Sequence, residues 1–212
     1  MLAYISIVVA AYFLGSIPTG YLVARAKGID IRTVGSGNIG ATNAMRVLGK
    51  PAGIAVLLAD ALKGYAAVAW LCPLLMARFD GAAGEAETLC VLAGVAAVLG
   101  HNFTCWLKFK GGKGIATTGG AYLALAPLAV GIALAAFILC LLLTRYVSIG
   151  SIAAAIALPT AVWCLSNNLF LGIVTTVLGL MAIYKHGSNL KRLMNGTESR
   201  LGQRRKTEEA AR

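Results

Sequence analysis

Long apolar stretches alternate with short polar ones along this chain. Residues 1–24, 88–107, 114–144 and 146–184 contain no Asp, Glu, Lys or Arg, and 51–77 contains only Asp60 and Lys63. A helix needs roughly 20 apolar residues to cross about 30 Å of hydrocarbon. The pattern therefore predicts a first span over about 2–24, a second ending near residue 77 and a third over about 88–103. The two later uncharged runs, of 31 and 39 residues, each fit one long tilted helix or a pair of shorter ones. Pro127 in "LALAPLAV" and Ser166-Asn167-Asn168 in "CLSNNLF" are the natural break points, because Pro removes a helical donor and Asn and Ser favour turns. Both breaks together give seven spans, and neither gives five.

Composition agrees with this pattern. The chain is 58% hydrophobic and 13% charged, whereas a soluble domain carries about 25% charged residues. The expected fold is an all-α integral membrane protein, a polytopic helical bundle of about seven transmembrane helices. The net charge of +11 is not a nucleic-acid signature, because the Lys and Arg residues lie between and after the apolar runs. Such an excess marks cytoplasmic loops. No cation precedes the first span, while Arg25, Lys27, Arg32, Arg46 and Lys50 follow it. That predicts an external N-terminus and an uncleaved first span, since a signal peptide needs a basic start. The connector 78–87, with three acids against one base, suits the external side. An odd number of spans places the C-terminus, with eight Lys or Arg from Lys185 onward, in the cytosol. The division expected is one membrane domain over 1–198 and a polar, basic tail over 199–212.

Cysteines and histidines narrow the chemistry. The five cysteines (72, 90, 105, 140 and 164) are scattered, mostly in apolar runs, without a Cys-x-x-Cys pair. They read as small buried hydrophobes, not a disulfide framework or metal site. His101 and His186 are the only histidines, which excludes a His-rich metal centre. No metal or other cofactor is expected.

Three polar segments, 25–50, 104–114 and 185–198, then share one side of the membrane, and all are rich in Gly, Ser, Asn and Thr with interspersed cations. In the first, "GSGNIGATN" (35–43) matches G-x-G-x-x-G, with Asp60 twenty residues past Gly40. A dinucleotide site would need a βαβ unit with that acid at a strand end, and Asp60 sits inside a span. The mechanics remain: glycines turn backbone N–H groups toward an anion, and a helix starting near Ala41 offers its positive end. Ser36, Asn38, Thr42 and Asn43 add neutral hydrogen-bonding groups and Arg46 adds a charge. A plain Gly-rich re-entrant turn is the bland alternative.

In the second segment, "FKGGKGIATTGG" (109–120) opens into an apolar helix. It is not a Walker A loop, but flexible amides at a helix N-terminus plus Lys113 make a phosphate cradle. A snorkelling basic edge explains Lys108 and Lys110 but does not require Gly111-Gly112-Lys113-Gly114. In the third, "KHGSNLKRLMNGTE" (185–198), a helix would put His186, Asn189 and Leu193 on one stripe. A solvated amphipathic tail is the alternative. Asp60 and Lys63, costly in a span and spaced i, i+3, are expected to pair and brace the site, with a proton relay as the alternative.

Together, "GSGNIGATNAMR", "GHNF…FKGGKGIAT" and "HGSNLKRLMNGTE" make the chain resemble the bacterial acyl-phosphate-dependent glycerol-3-phosphate acyltransferases over nearly its whole length. The resemblance implies a seven-span fold in the bacterial inner membrane with a cytosolic active site. The reaction it implies moves a fatty acyl group from acyl phosphate to the 1-hydroxyl of glycerol 3-phosphate, giving lysophosphatidic acid and phosphate. Partners would be these two small molecules and membrane lipid, not nucleic acid, with a functional link to the enzyme that makes acyl phosphate. It carries Ser36 and Arg46 to glycerol phosphate, with Gly37, Asn38, Thr42 and Asn43 in the same loop. Gly111, Gly112, Lys113, Gly114 and Thr117 go to the acyl-phosphate loop. His186, Asn189 and Lys113 become the catalytic polar groups, while Glu198, Asp60 and Lys63 give structural support. One departure is Thr104, where the family often has Pro, so the entry to the lysine loop is expected to differ slightly. The rival reading from another class is a transporter of a phosphorylated organic anion. It predicts an alternating-access repeat that the sequence does not display.

Overall fold

The computed structural model describes residues 1–79 and 82–202, and every regular element in them is helical. Residues 80 and 81 of the expected external connector, and 203–212 of the expected tail, lie outside the described residues.

The first apolar stretch is two helices, α1 (Leu2–Ser16) and α2 (Thr19–Arg25), interrupted at Ile17–Pro18. Pro cannot donate to the helical ladder, and carbonyls freed in an apolar setting need other partners. The Ser16 carbonyl accepts the Thr104 hydroxyl at 2.6 Å, and the Ile17 carbonyl accepts Lys63 Nζ at 2.9 Å. After the first polar loop, α3 (Ala41–Leu48) packs on α4 (Lys50–Ala66). The latter runs through a π turn, Ala67–Leu71, into α5 (Cys72–Met76). The widened turn lies just before Pro73, whose ring would crowd the carbonyl four residues back. Then come α6 (Ala86–Asn102), α7 (Ile115–Leu125), α8 (Pro127–Thr144), α9 (Val147–Leu165), α10 (Leu169–Lys185) and α11 (Gly187–Met194).

Lipid gives helices little hydrophobic reason to associate, so close backbone packing must hold them. The tightest pairs use glycine. In α1–α6, Gly15 lies against the Ala97 backbone and Gly100 against the Tyr12 carbonyl. In α4–α7, Gly64 lies against Thr117 and Gly120 against the Ala61 carbonyl, with no room for a Cβ at any of the four. Leu139, Leu142 and Leu143 on α8 are exposed, as side chains facing lipid would be.

Among the described residues, five stretches are long and apolar enough to cross a membrane: Leu2–Arg25, Lys50–Met76, Ala86–Leu107, Pro127–Thr144 and Val147–Leu165. Counting α10 and α11, bent by 48°, as one unit adds a sixth, while α7 is shorter than that measure. Both long uncharged runs are helix pairs, α7–α8 opening anew at Pro127 and α9–α10 separated by 166–168. The three polar segments meet at one end of the bundle, joined by the turn at Arg145–Tyr146 between α8 and α9.

Candidate active site

One side chain organises the first loop. Asn43, buried in the first turn of α3, accepts the Ser36 N–H at 2.8 Å. Its amide nitrogen donates toward the carbonyls of Asn38 at 2.8 Å, Val34 at 3.2 Å and Ile31 at 3.3 Å. Asn38 Oδ1 accepts the Gly40 N–H at 2.8 Å. Gly35 and Gly37, with φ of 62° and 72°, let the chain double back around this carboxamide. Asn43, expected on the substrate loop, is thus also the group that shapes it. A buried carboxamide must be satisfied, and this one is satisfied by its own loop, as is the Asn38 oxygen. Ser36 stands exposed on the loop and Thr42 is half-buried. Arg46, one turn into α3, donates to the Ser199 carbonyl at 3.3 Å.

The second loop departs from a pure amide cradle. The Gly111 N–H donates to the Asn102 carbonyl at 3.2 Å and the Gly112 N–H to the His101 carbonyl at 3.0 Å. These glycines permit close approach: a Cβ on Gly112 would strike the His101 imidazole, and one on Gly111 the His101 carbonyl. Both amides are therefore engaged by backbone carbonyls. Amides without a helical partner lie one step on, at the N-terminus of α7. There the first helical bond is Thr118 N–H to the Gly114 carbonyl at 2.7 Å, and the amides before it have no carbonyl of their own helix to meet. Gly114 caps that helix at φ 83°. Thr117 is fully buried, with its hydroxyl lacking a protein partner among the described residues. At the loop's entry Thr104 has φ −63°, the value a proline would impose, and its hydroxyl closes on Ser16. Thr104 thus has a φ that proline could also adopt and adds a hydrogen bond that proline could not make.

The third segment meets the second. Lys113 Nζ donates to Asn189 Oδ1, whose amide donates to Glu198 Oε1 at 2.7 Å, and Arg192 Nε donates to Glu198 Oε2 at 2.6 Å. His186, between α10 and α11, has Nδ1 2.7 Å from the Ala182 carbonyl. A carbonyl only accepts, so Nδ1 carries the proton and Nε2 presents a lone pair. Burial pushes the Lys113 ammonium down to about 8, helped by Arg192 and Arg46 and opposed by Glu198. Burial also opposes ionisation of Glu198, but the bonds from Asn189 and Arg192 outweigh it and hold its carboxyl below the usual range. The site thus gathers Lys113, Arg192 and Arg46 around one carboxylate, leaving an excess of positive charge for an anionic ligand.

Asp60 and Lys63 pair as expected, at 2.9 Å, beneath the lysine loop. Several partners carried no sequence signal of their role. His101 Nδ1 joins that pair at 3.5 Å from Asp60 Oδ1. Lys185 donates to the Asn102 carbonyl at 2.9 Å. The segment bearing Glu198 is tied down by Leu201 N–H to the Arg145 carbonyl at 2.7 Å and by Arg200 to the Tyr146 hydroxyl at 3.1 Å. Arg145 is the one charge between the two long uncharged runs, which was the available hint.

The profile of the family described as "Glycerol-3-phosphate acyltransferase" matches residues 5–196. A relative of that description from Geobacter metallireducens is 52% identical over 200 residues, covering 94% of this chain and 98% of that one. A crystal structure of PlsY, an integral membrane glycerol 3-phosphate acyltransferase, in its glycerol 3-phosphate form is 35% identical with a TM-score of 0.84, covering 94% of this chain and 96% of that one. The lysophosphatidic acid form of PlsY aligns with a TM-score of 0.81 at 34% identity, over 94% of this chain and 95% of that one. The chain, an all-helical integral membrane protein, belongs to the glycerol-3-phosphate acyltransferase family.

Proposed function

We propose that this protein transfers a fatty acyl group from acyl phosphate to the 1-hydroxyl of glycerol 3-phosphate, releasing lysophosphatidic acid and inorganic phosphate. The observation that carries the reading is the meeting of Lys113, Asn189, Glu198, Arg192 and Arg46 from three separate segments at one end of the bundle. Both substrates bear phosphate, and this cluster with the α7 N-terminus supports holding two anions side by side. Lys113 and the open α7 amides take the donor phosphate. Ser36 and Arg46 take the acceptor phosphate, while His186 Nε2 and the Asn189 carboxamide orient the groups between them.

Acyl phosphate is already activated. The acceptor hydroxyl attacks the carbonyl carbon, the bond from that carbon to the phosphate oxygen breaks, and the hydroxyl proton leaves with the phosphate. The protein neutralises charge and aligns the two reactants, which are the larger contributions available without a protein nucleophile. A Cys105 thiolate would need a partner base, and the nearby His101 ring is engaged with Asp60 and Gly112.

The finer architecture belongs to the same reading. Seven crossings, with α7 a short one and α10 the last, put residues 25–50, 104–114, 145–146 and 186–198 on the cytosolic side of a bacterial inner membrane. The N-terminus is then external. Residues 1–198 act as one domain, and acyl phosphate comes from a membrane-associated enzyme that makes it. Purified protein given glycerol 3-phosphate and acyl phosphate forms lysophosphatidic acid, whereas acyl-CoA gives none. Product from neither donor, with anion flux in liposomes, overturns the reading in favour of a transporter. Single cysteines at Lys27 and Lys110 in a cysteine-free background resist an impermeant thiol reagent added to intact cells, and one at Glu85 reacts. Labelling at Lys110 overturns the sidedness.

A further inference from the structure

Beneath the lysine loop, three titratable side chains from two spans are buried together. Asp60 and Lys63 come from α4 and His101 from the last turn of α6, at 2%, 5% and 5% exposure. Lys63 Nζ lies 2.9 Å from Asp60 Oδ1 and donates to the Ile17 carbonyl, and His101 Nδ1 lies 3.5 Å from the same carboxylate oxygen. Buried ion pairs are expensive and are often replaceable by apolar packing without loss of stability. Stability alone therefore gives no account of why a histidine is added to the pair.

What the histidine touches does. One edge of its imidazole faces Asp60, and Nε2 on the other faces Gly112 so closely that a Cβ there would collide with the ring. The His101 carbonyl also receives the Gly112 N–H at 3.0 Å. Gly112 is bonded directly to Lys113, whose ammonium meets Asn189. We propose that His101 is a positioning residue for acyl transfer: its ring, buried between the Asp60–Lys63 pair and the lysine loop, is the floor on which Gly112 rests and fixes where Lys113 presents its charge. The assignment rests on Lys113 being part of the site. A rigid planar ring suits this role better than an aliphatic side chain, because it has no internal rotation by which its far edge could give way while its body is packed in. A misplacement of about 1 Å near reacting groups lowers rates about a hundredfold, so the floor matters even without touching substrate.

A double-mutant cycle on the purified full-length enzyme, assayed with acyl phosphate and glycerol 3-phosphate, tests the contact. His101→Ala is expected to lower kcat about tenfold or more, with KM for each substrate within about threefold. Gly112→Ala is also impaired, because its methyl strikes the ring. The diagnostic outcome is the double variant, which should be no worse than the poorer single variant, since the methyl then enters the space the ring left. Gly112 has no positive φ to bar alanine there. His101→Asn keeps a polar group toward Asp60 but loses the far edge. It should fold with a normal Tm in detergent and remain low in kcat, which also serves if His101→Ala fails to fold. Multiplicative losses in the double variant, or wild-type kcat in folded His101→Asn, overturn the proposal. Lys113→Ala in the same assay separates the two readings. If it is fully active, the site assignment fails. If it is impaired while the cycle is multiplicative, only the positioning role fails.

Discussion

The loops at 31–43 and 104–114 are both glycine-rich, both lead into a helix, and both carry the resemblance to a phosphate-binding turn, yet they are held in opposite ways. The first is self-contained: Asn43 gathers Ile31, Val34, Ser36 and Asn38 around its own carboxamide. The second borrows its shape from distant elements. His101 and Asn102 receive its amides, and Asn189 and Glu198 steer its lysine. A loop folded on its own contacts can present a fixed surface to a small soluble ligand. A loop held by three other elements responds to all of them, which under the proposed function suits the place where a membrane-borne donor and a soluble acceptor are brought into line.

The sharpest break in that comparison is Lys113→Ala, which should lower kcat/KM for acyl phosphate by about 2–4 kcal/mol, or roughly thirty- to a thousandfold. Steady-state kinetics varying each substrate in turn checks it, and an equal loss on the glycerol 3-phosphate side would mean the two loops share one anion. Next comes Asn43→Ala, which should unmake the first loop alone. Losing a buried organiser of this kind leaves backbone groups unpaired, at about 2 kcal/mol, read as a roughly thirtyfold rise in KM for glycerol 3-phosphate. A Tm in detergent near wild type would confirm that the damage is local.

A smaller effect comes from pH. Burial depresses Lys113 to about 8 in the free enzyme. The ammonium is the binding form and is present below that value, so kcat/KM should fall about tenfold per unit as pH rises beyond it. Lys113→Arg, which stays charged, should lose that alkaline limb even if slower at neutral pH. Least of all should come from the thiols. Replacing all five cysteines should leave most activity, and donor without acceptor should leave no acyl mass on the protein by intact-protein mass spectrometry. An adduct on Cys105 would overturn direct transfer.

Much of this arrangement was legible in the chain itself. Uncharged runs set the spans, cation placement grouped the three polar segments, and i, i+3 spacing paired Asp60 with Lys63. The two breaks in the long runs were visible because Pro127 and Ser166–Asn168 oppose helix locally. What was not legible depends on contacts far apart in sequence. Spacing cannot say whether a glycine frees an amide for a ligand or clears room for a neighbour, and Gly111 and Gly112 turned out to do the second. Likewise, nothing local separates an asparagine that binds substrate from one that binds its own loop. His101 lies 41 positions from Asp60, so only the packing of α4 near α6 makes them one group.

The break at Pro18 has a consequence for how the chain is made. At that break the Ser16 carbonyl leaves the helical ladder and the Ile17 carbonyl meets only the Thr19 N–H, at 3.0 Å, from its own segment. Their eventual partners arrive much later in synthesis: Lys63 is 46 residues downstream and Thr104 is 88. Under-satisfied carbonyls in hydrocarbon are costly, so the break is better served by a wet surface until the second span delivers Lys63. The third span then seals it with Thr104. One proline thereby gives membrane insertion an order, with each arriving segment completing the one before it.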